Sequence, residues 1–199
     1  MITKTDYIVY LDAPRHLWAI KHDKIEKTQI NVFIQHLMEQ GYDVEKYANR
    51  YIKEFIVPLQ NVEELKMQVT QIDGNYQART DALVKNPKTG KWDMYEIKSS
   101  SEIKKEHYSD VTFQVLVFEK FYDLGDIFVL HLNKDYVRNG EINLSQLFVA
   151  EKINDKVEEY RAEVESGRYD AYLISKNDSV EVASSCYKPK DCPCVEICH

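Results

Sequence analysis

The sequence predicts an α/β fold: a mixed sheet flanked by helices, preceded by a helical N-terminal part and followed by a cysteine-bearing tail. Three observations predict it. Two strand-like segments, residues 78–84 and 94–100, are separated by the turn-forming run Asn86-Pro87-Lys88-Thr89-Gly90-Lys91. The run Asp126-Ile127-Phe128-Val129-Leu130-His131-Leu132 is almost continuously apolar, as a strand covered on both faces should be. Helical periodicity precedes, separates and follows these segments, and helix–strand alternation after a hairpin builds a mixed sheet.

In chain order, residues 3–22 predict two short helices broken at Asp12-Ala13-Pro14, with Pro14 in the first turn of the second and Leu17 and Trp18 on its buried side. The basic Arg15, His16, Lys21 and His22 suit either a nucleic-acid phosphate or a solvated helix face. Residues 25–40 carry Ile30, Phe33, Ile34, Leu37 and Met38 at helical spacing, and Gly41 supplies a stop. His36 lies off that stripe, where an exposed histidine is the default. A second helix is expected over 43–55, through Val44, Tyr47, Ala48, Tyr51, Ile52 and Phe55. Strands begin at Lys66–Ile72, turn at Asp73-Gly74-Asn75 and enter the hairpin. A long helix over 102–124 leads to the buried strand, and another over 151–166 ends at Gly167. The division expected is a single domain, with a helical part over 1–58, an α/β core over 59–175 and a tail over 176–199.

At 199 residues the chain can hold one sizeable core, and 44% hydrophobic with 30% charged residues is a soluble globular composition. No apolar run approaches the roughly 20 residues that span a bilayer. The start, Met1-Ile2-Thr3-Lys4-Thr5-Asp6, has no signal-peptide pattern, so a cytoplasmic location without membrane attachment is expected. A net charge of −7 argues against a surface that coats duplex DNA non-specifically, and leaves room for a local basic groove. Most of the 14 Tyr and 7 Phe sit at core-periodic positions, which packing explains.

The charged residues of the hairpin carry the chemistry. Asp81 stands alone among small and apolar residues, while Glu96 and Lys98 are two apart and so share a face. An ion in a half-buried strand needs a partner or a metal. Two carboxylates on adjacent strands, with the backbone carbonyl of Ile97, are hard oxygen ligands of the kind that divalent-metal phosphoryl chemistry uses. Lys98 would stand near the attacking water, lowering its pKa or holding the negative charge that develops on the phosphate. On three residues alone, a structural Glu–Lys pair explains the pattern equally well. The following helix adds His107, Asp110, Gln114 and Phe118 on a narrow stripe, where the Gln114 amide could hold a water or a phosphate oxygen.

Thr80-Asp81, Glu96-Ile97-Lys98 and Gln114-Val115-Leu116-Val117-Phe118, sixteen residues after the lysine, resemble the PD-(D/E)XK nuclease superfamily in its RecB-like branch. Together with Pro14-Arg15-His16-Leu17-Trp18 and the C-terminal cysteines, they are similar to the branch carrying an iron–sulfur cluster, which includes the CRISPR-associated four-cysteine exonucleases. They are also similar to bacterial proteins in which such a domain precedes a further region. The resemblance implies a restriction-endonuclease-like sheet and Mg²⁺ or Mn²⁺ on Asp81, Glu96 and Ile97. It also implies Lys98 as the catalytic lysine and Gln114 as an assisting group. Two positions depart from the pattern. Phe118 stands where the family has a tyrosine. Gly41-Tyr42-Asp43-Val44 stands where many relatives have Gly-x-x-His, which removes a metal ligand.

All four cysteines fall within thirteen positions, as Cys186-x5-Cys192-x-Cys194-x3-Cys198, which in a cytosolic setting suggests metal before disulfide. Four thiolates suit either a 4Fe–4S cluster or a tetrahedral Zn²⁺. The iron–sulfur relatives take one cysteine from the N-terminal segment, where this chain has Ala13. On that comparison Cys186, Cys192 and Cys198 match the C-terminal three and Cys194 replaces the fourth, with His199 a further candidate. The expected function is a metal-dependent DNA nuclease with an iron–sulfur cluster, acting as an exonuclease on single-stranded ends. The alternative is a catalytically weak or inactive nucleic-acid-binding domain, or part of a larger assembly.

Overall fold

The computed structural model describes residues 1–25, 32–62, 64–179 and 194, with 32–40 as helical backbone. Ile2–Thr3 form β1, and Thr3 caps α1 (Lys4–Asp12). The Thr3 hydroxyl accepts from the Asp6 amide, and the Asp6 carboxylate accepts from the Thr3 amide. Pro14 opens α2 (Pro14–Lys21), which buries Leu17 and Trp18 as expected. The N-terminal part is not helical throughout, because β1 pairs with the sheet at Tyr76 and Gln77.

A single helix, α3 (Val32–Tyr51), replaces the two expected to meet at Gly41. Residues 26–31 and the side chain of His36 lie outside the described residues. Gly41 keeps helical backbone because the stripe of Val44, Tyr47, Ala48 and Tyr51 continues into the core, and that packing outweighs a glycine cost of about 1 kcal/mol. A π-helical turn (Ile52–Ile56) and α4 (Val57–Gln60) complete this arm.

Then come β2 (Leu65–Asp73), β3 (Tyr76–Lys85) and β4 (Trp92–Lys98), an antiparallel meander. Helix α5 (Lys105–Phe118) crosses over, and β5 (Leu124–Leu132) returns parallel to β4. Helix α5 is shorter than its pattern implied, since Leu124 already belongs to β5. After α6 (Leu144–Leu147), β6 (Phe148–Lys152) pairs antiparallel with β5, a short strand where a helix start was expected. Helix α7 (Asn154–Lys176) then runs through Gly167. Among the described residues the sheet is six-stranded and mixed. Helices α1, α5 and α7 cover one face around Leu83, Met94, Phe113 and Val129. Helix α3 and the arm after it cover the other, around Ala48, Ile52, Tyr95 and Leu130.

Gly167 is a packing glycine rather than a helix stop. A Cβ there would stand 3.0 Å from the hydroxyl oxygen of buried Tyr7. Gly167→Val is therefore expected to overpack the α1–α7 contact by about 1–3 kcal/mol and lower the melting temperature by roughly 3–10 °C, read by circular dichroism.

One detail of the sheet positions the site. Strand β2 pairs along nearly the whole of one side of β3. On the other side, β3 pairs with β1 at residues 76–77 and with β4 from Ala82 to Lys85. Residues 78–81 pair with neither strand on that side, and the end of β4 leaves the ladder there.

Candidate active site

Asp81 and Glu96 lie one step beyond the Ala82–Tyr95 pair, so they share a face where the ladder opens. In place of a ladder bond, the Ile97 backbone N–H donates to Asp81 Oδ2 at 2.7 Å. Glu96 is only 2% exposed, which demands compensation. Its Oε1 accepts from Lys98 Nζ at 3.0 Å and from Lys4 Nζ at 2.8 Å. Lys98 Nζ also donates to Asp110 Oδ2 on α5, and Lys4 Nζ stands 3.6 Å from Asp110 Oδ1. Ten consecutive residues of α5, from Ser109 to Phe118, are buried, so Asp110 needs these cations as much as Glu96 does.

The charges separate the two strand acids. Burial first, and then the charge of Glu96, push Asp81 up to about 7; the Ile97 N–H, Lys4 and Gln68 oppose the shift. Burial would also raise Glu96, but Lys98 and Lys4 outweigh it and hold that carboxyl below the usual range. Burial acts to lower Lys98, yet Glu96 and Asp110 raise it overall, so it remains a cation at neutral pH.

Asp81, Glu96, Ile97 and Lys98 all line one cleft of about 380 Å³, together with Lys4 and the α3 residues Gly41, Val44 and Glu45. The sequence expectation thus gathers into one place on the strands. It does not on α5. Gln114 is fully buried, does not line the cleft, and has no hydrogen-bond partner for either amide atom among the described residues. Phe118 is fully buried in the core. Near the N-terminus, Lys21 pairs with Asp6 at 2.6 Å, and the Arg15 guanidinium lies 4.2 Å from the centre of the Trp18 ring. Both cations have local work.

Four contributors, Lys4, Asp110, Glu45 and Gln68, went unassigned in the sequence. Lys4 is the first residue of a helix and gave no signal. Asp110 shared the Gln114 stripe and sits one turn nearer the strands. Glu45 directly follows Val44, the position where a ligand is missing. Its Oε1 accepts from Gln68 Nε2 at 2.9 Å, and the same nitrogen donates to Asp81 Oδ1 at 3.1 Å.

Oxygen ligands dominate this cleft, and Glu96 Oε2 is buried without a hydrogen-bond partner among the described residues, which fits a hard divalent cation. Among the described residues no three acidic, histidine or cysteine side chains converge on one point, so such an ion would also need backbone or water oxygens. Of the cysteines, Cys194 is buried against Trp18 and Ala19, with its Sγ 3.9 Å from the Arg15 carbonyl. Cys186, Cys192 and Cys198 lie outside the described residues.

No protein-family model and no curated protein matches the chain. Among solved structures it is similar to the crystal structure of SSO0001, at 16% identity and a TM-score of 0.51, over 99% of this chain and 84% of that one. It is also similar to the crystal structure of an alkaline exonuclease, LHK-Exo, from Laribacter hongkongensis. There the identity is 13% and the TM-score 0.48, over 88% of this chain and 93% of that one. The likeness to SSO0001 is one of fold. Among the described residues no helix is long and apolar enough to cross a membrane.

Proposed function

We propose that the chain is a divalent-metal-dependent deoxyribonuclease that hydrolyses phosphodiesters in single-stranded or free-ended DNA. The observation that carries this reading is the convergence of Asp81, Glu96 and Lys98 on one cleft. Asp81, Glu96 and Glu45 line it and Asp110 lies behind Lys98, and among the described residues the ammonium groups that pair with these four carboxylates are those of Lys4 and Lys98. When all are ionised, two negative charges are left over, the complement of one divalent cation. Asp81, Glu96 and the Ile97 carbonyl would hold Mg²⁺ or Mn²⁺, and Glu45, next to Val44, would add an acid on the cleft wall that reaches the ion through a water. A bound ion of this kind polarises the phosphodiester and lowers the pKa of a water. Lys98, kept protonated by its two acids, acts as a fixed cation for the developing phosphorane charge rather than as a base. The test is degradation of end-labelled single-stranded DNA with Mn²⁺; DNA binding without degradation by pure, folded wild type sinks the enzyme reading.

A second reading, a nucleic-acid-binding domain of low or no turnover, draws on α5. Gln114 and Phe118, where the resemblance expects helping groups, are buried away from the cleft.

For the tail we propose a 4Fe–4S cluster on Cys186, Cys192, Cys194 and Cys198, with Zn²⁺ as the alternative occupant. Cys194 rests beside the first turn of α2, close in sequence to Ala13, where the resemblance expects a ligand. Anaerobically purified protein is then expected to show a broad visible absorbance band with iron and sulfide. A colourless sample holding stoichiometric zinc would overturn the cluster.

A further inference from the structure

Gln68 adopts an unusual backbone for its place. Its φ is +53° in the middle of β2, while its neighbours Met67 and Val69 pair normally with Ala82 and Thr80. A side chain with a Cβ is strained in that left-handed region, and strain of this kind gathers where a site needs one particular geometry. The strain does not stem from an extra residue, because the register on both sides is continuous.

The side chain shows what the geometry serves. Both hydrogens of the Gln68 amide nitrogen are used, one toward Glu45 Oε1 at 2.9 Å and one toward Asp81 Oδ1 at 3.1 Å. Its Oε1 accepts from Arg79 Nε at 2.5 Å. A guanidinium has no acceptor, so Arg79 dictates which end of the amide faces it and turns the NH₂ toward the acids. Two carboxylates from different layers of the fold, one on α3 and one on β3, are thereby held by a single nitrogen. Nothing else among the described residues hydrogen-bonds the Glu45 side chain.

We propose that Gln68 is a positioning residue of the cleft: its amide, aimed by Arg79, holds the Glu45 carboxylate against Asp81, so that a divalent cation meets both acids. The inference rests on the metal-site reading above. Gln68 does not contact the reacting atoms; its bond to Asp81 anchors the amide, and it acts by placing Glu45.

The test is Mn²⁺ binding by the full chain, followed by calorimetry, together with melting temperature in chelator. Gln68→Gly removes the amide and relieves the backbone, so it is expected to melt no lower than wild type yet to bind Mn²⁺ about tenfold more weakly, as loss of groups behind metal ligands does. Gln68→Asn keeps an amide on a residue that tolerates the left-handed region, but it is one methylene too short to span Arg79 and both acids. It is expected to show the same loss, and it carries the test if the glycine variant fails to fold. In a Glu45→Gln background, either Gln68 substitution should cost less than about twofold further, because the two act as one unit. Wild-type affinity in both Gln68 variants overturns the proposal, as does an undiminished tenfold loss in the Glu45→Gln background. If wild type does not bind Mn²⁺, or binds it equally well after Asp81→Asn, the metal site itself fails and this inference with it. Binding that needs Asp81 but ignores Gln68 overturns this inference alone.

Discussion

Lys98→Ala is expected to cut Mn²⁺-dependent degradation of single-stranded DNA by about 10³-fold, equivalent to about 4 kcal/mol of transition-state stabilisation. Among the described residues Lys98 is the cation that hydrogen-bonds both Glu96 on β4 and Asp110 on α5, while Lys4 hydrogen-bonds Glu96 and only approaches Asp110. Without it, Lys4 alone must compensate two buried acids, from the rim of the cleft. Some loss of stability at neutral pH follows, since a buried acid stripped of a partner is costly. Folding of the variant therefore has to be verified by circular dichroism before rates are compared. Lys98→Arg is expected not to restore the rate: a planar fork does not fit where a compact ammonium bridges two carboxylates. A Lys98→Ala rate within about threefold of wild type would remove Lys98 from the chemistry, whatever its effect on stability.

The β part of the fold was legible because strands speak through short-range pattern. The Pro/Gly turn marks the hairpin, and the apolar run Asp126–Leu132 is what a strand covered on both faces looks like. Helix ends were less legible, and glycine explains why. Gly41 and Gly167 both read as stops, yet both sit inside helices. At Gly41 the apolar stripe goes on into the core, and at Gly167 the missing Cβ makes room for Tyr7. Local punctuation lost to tertiary packing in each case. β1 and β6 went unread because two- and five-residue strands owe their existence to the neighbour they join.

The site divides along the same line. Asp81, Glu96 and Lys98 were readable since their alternation along two adjoining strands places them on one face. Lys4, Glu45 and Gln68 were not, because each enters the cleft from another part of the chain, and the left-handed backbone of Gln68 is not one its side chain favours. Gln114 was readable as an oddity on an apolar stripe, but periodicity gives a residue's face and not its depth. Asp110, one turn away on that stripe, is the residue that reaches Lys98.

Asp81→Asn is expected to raise the melting temperature of the metal-free protein at pH 8 while abolishing its stabilisation by Mn²⁺. The folded state pushes Asp81 up to about 7 from an ordinary 3.8. Between those values the folded chain keeps a proton that the unfolded chain has released. The stability tied to neutral Asp81 is thus fully present below about pH 4 and lost as pH rises through 7. Glu96 runs the other way, since its lysines lower it: its contribution is present above the ordinary carboxylate range and lost as pH falls. Holding Asp81 at about 7 rather than 3.8 corresponds to about 4 kcal/mol of destabilisation of the ionised form at pH 8. Asparagine removes the charge but forfeits a hydrogen bond to Gln68 or to the Ile97 N–H, offsetting about 1–2 kcal/mol. The net is about 2 kcal/mol, or roughly 4–8 °C in a chain of this size. At pH 5 wild-type Asp81 is itself protonated, and the difference should close to within about 2 °C. Saturating Mn²⁺ then reverses the order at pH 8, because at about 100 times its dissociation constant a ligand stabilises wild type by about 2.7 kcal/mol and gives the variant nothing. Scanning calorimetry at both pH values, with chelator and with Mn²⁺, reads all four conditions. A metal-free Asp81→Asn protein that melts below wild type at pH 8 would make Asp81 a structural acid content with its hydrogen bonds, and would take the charge surplus out of the case for a metal.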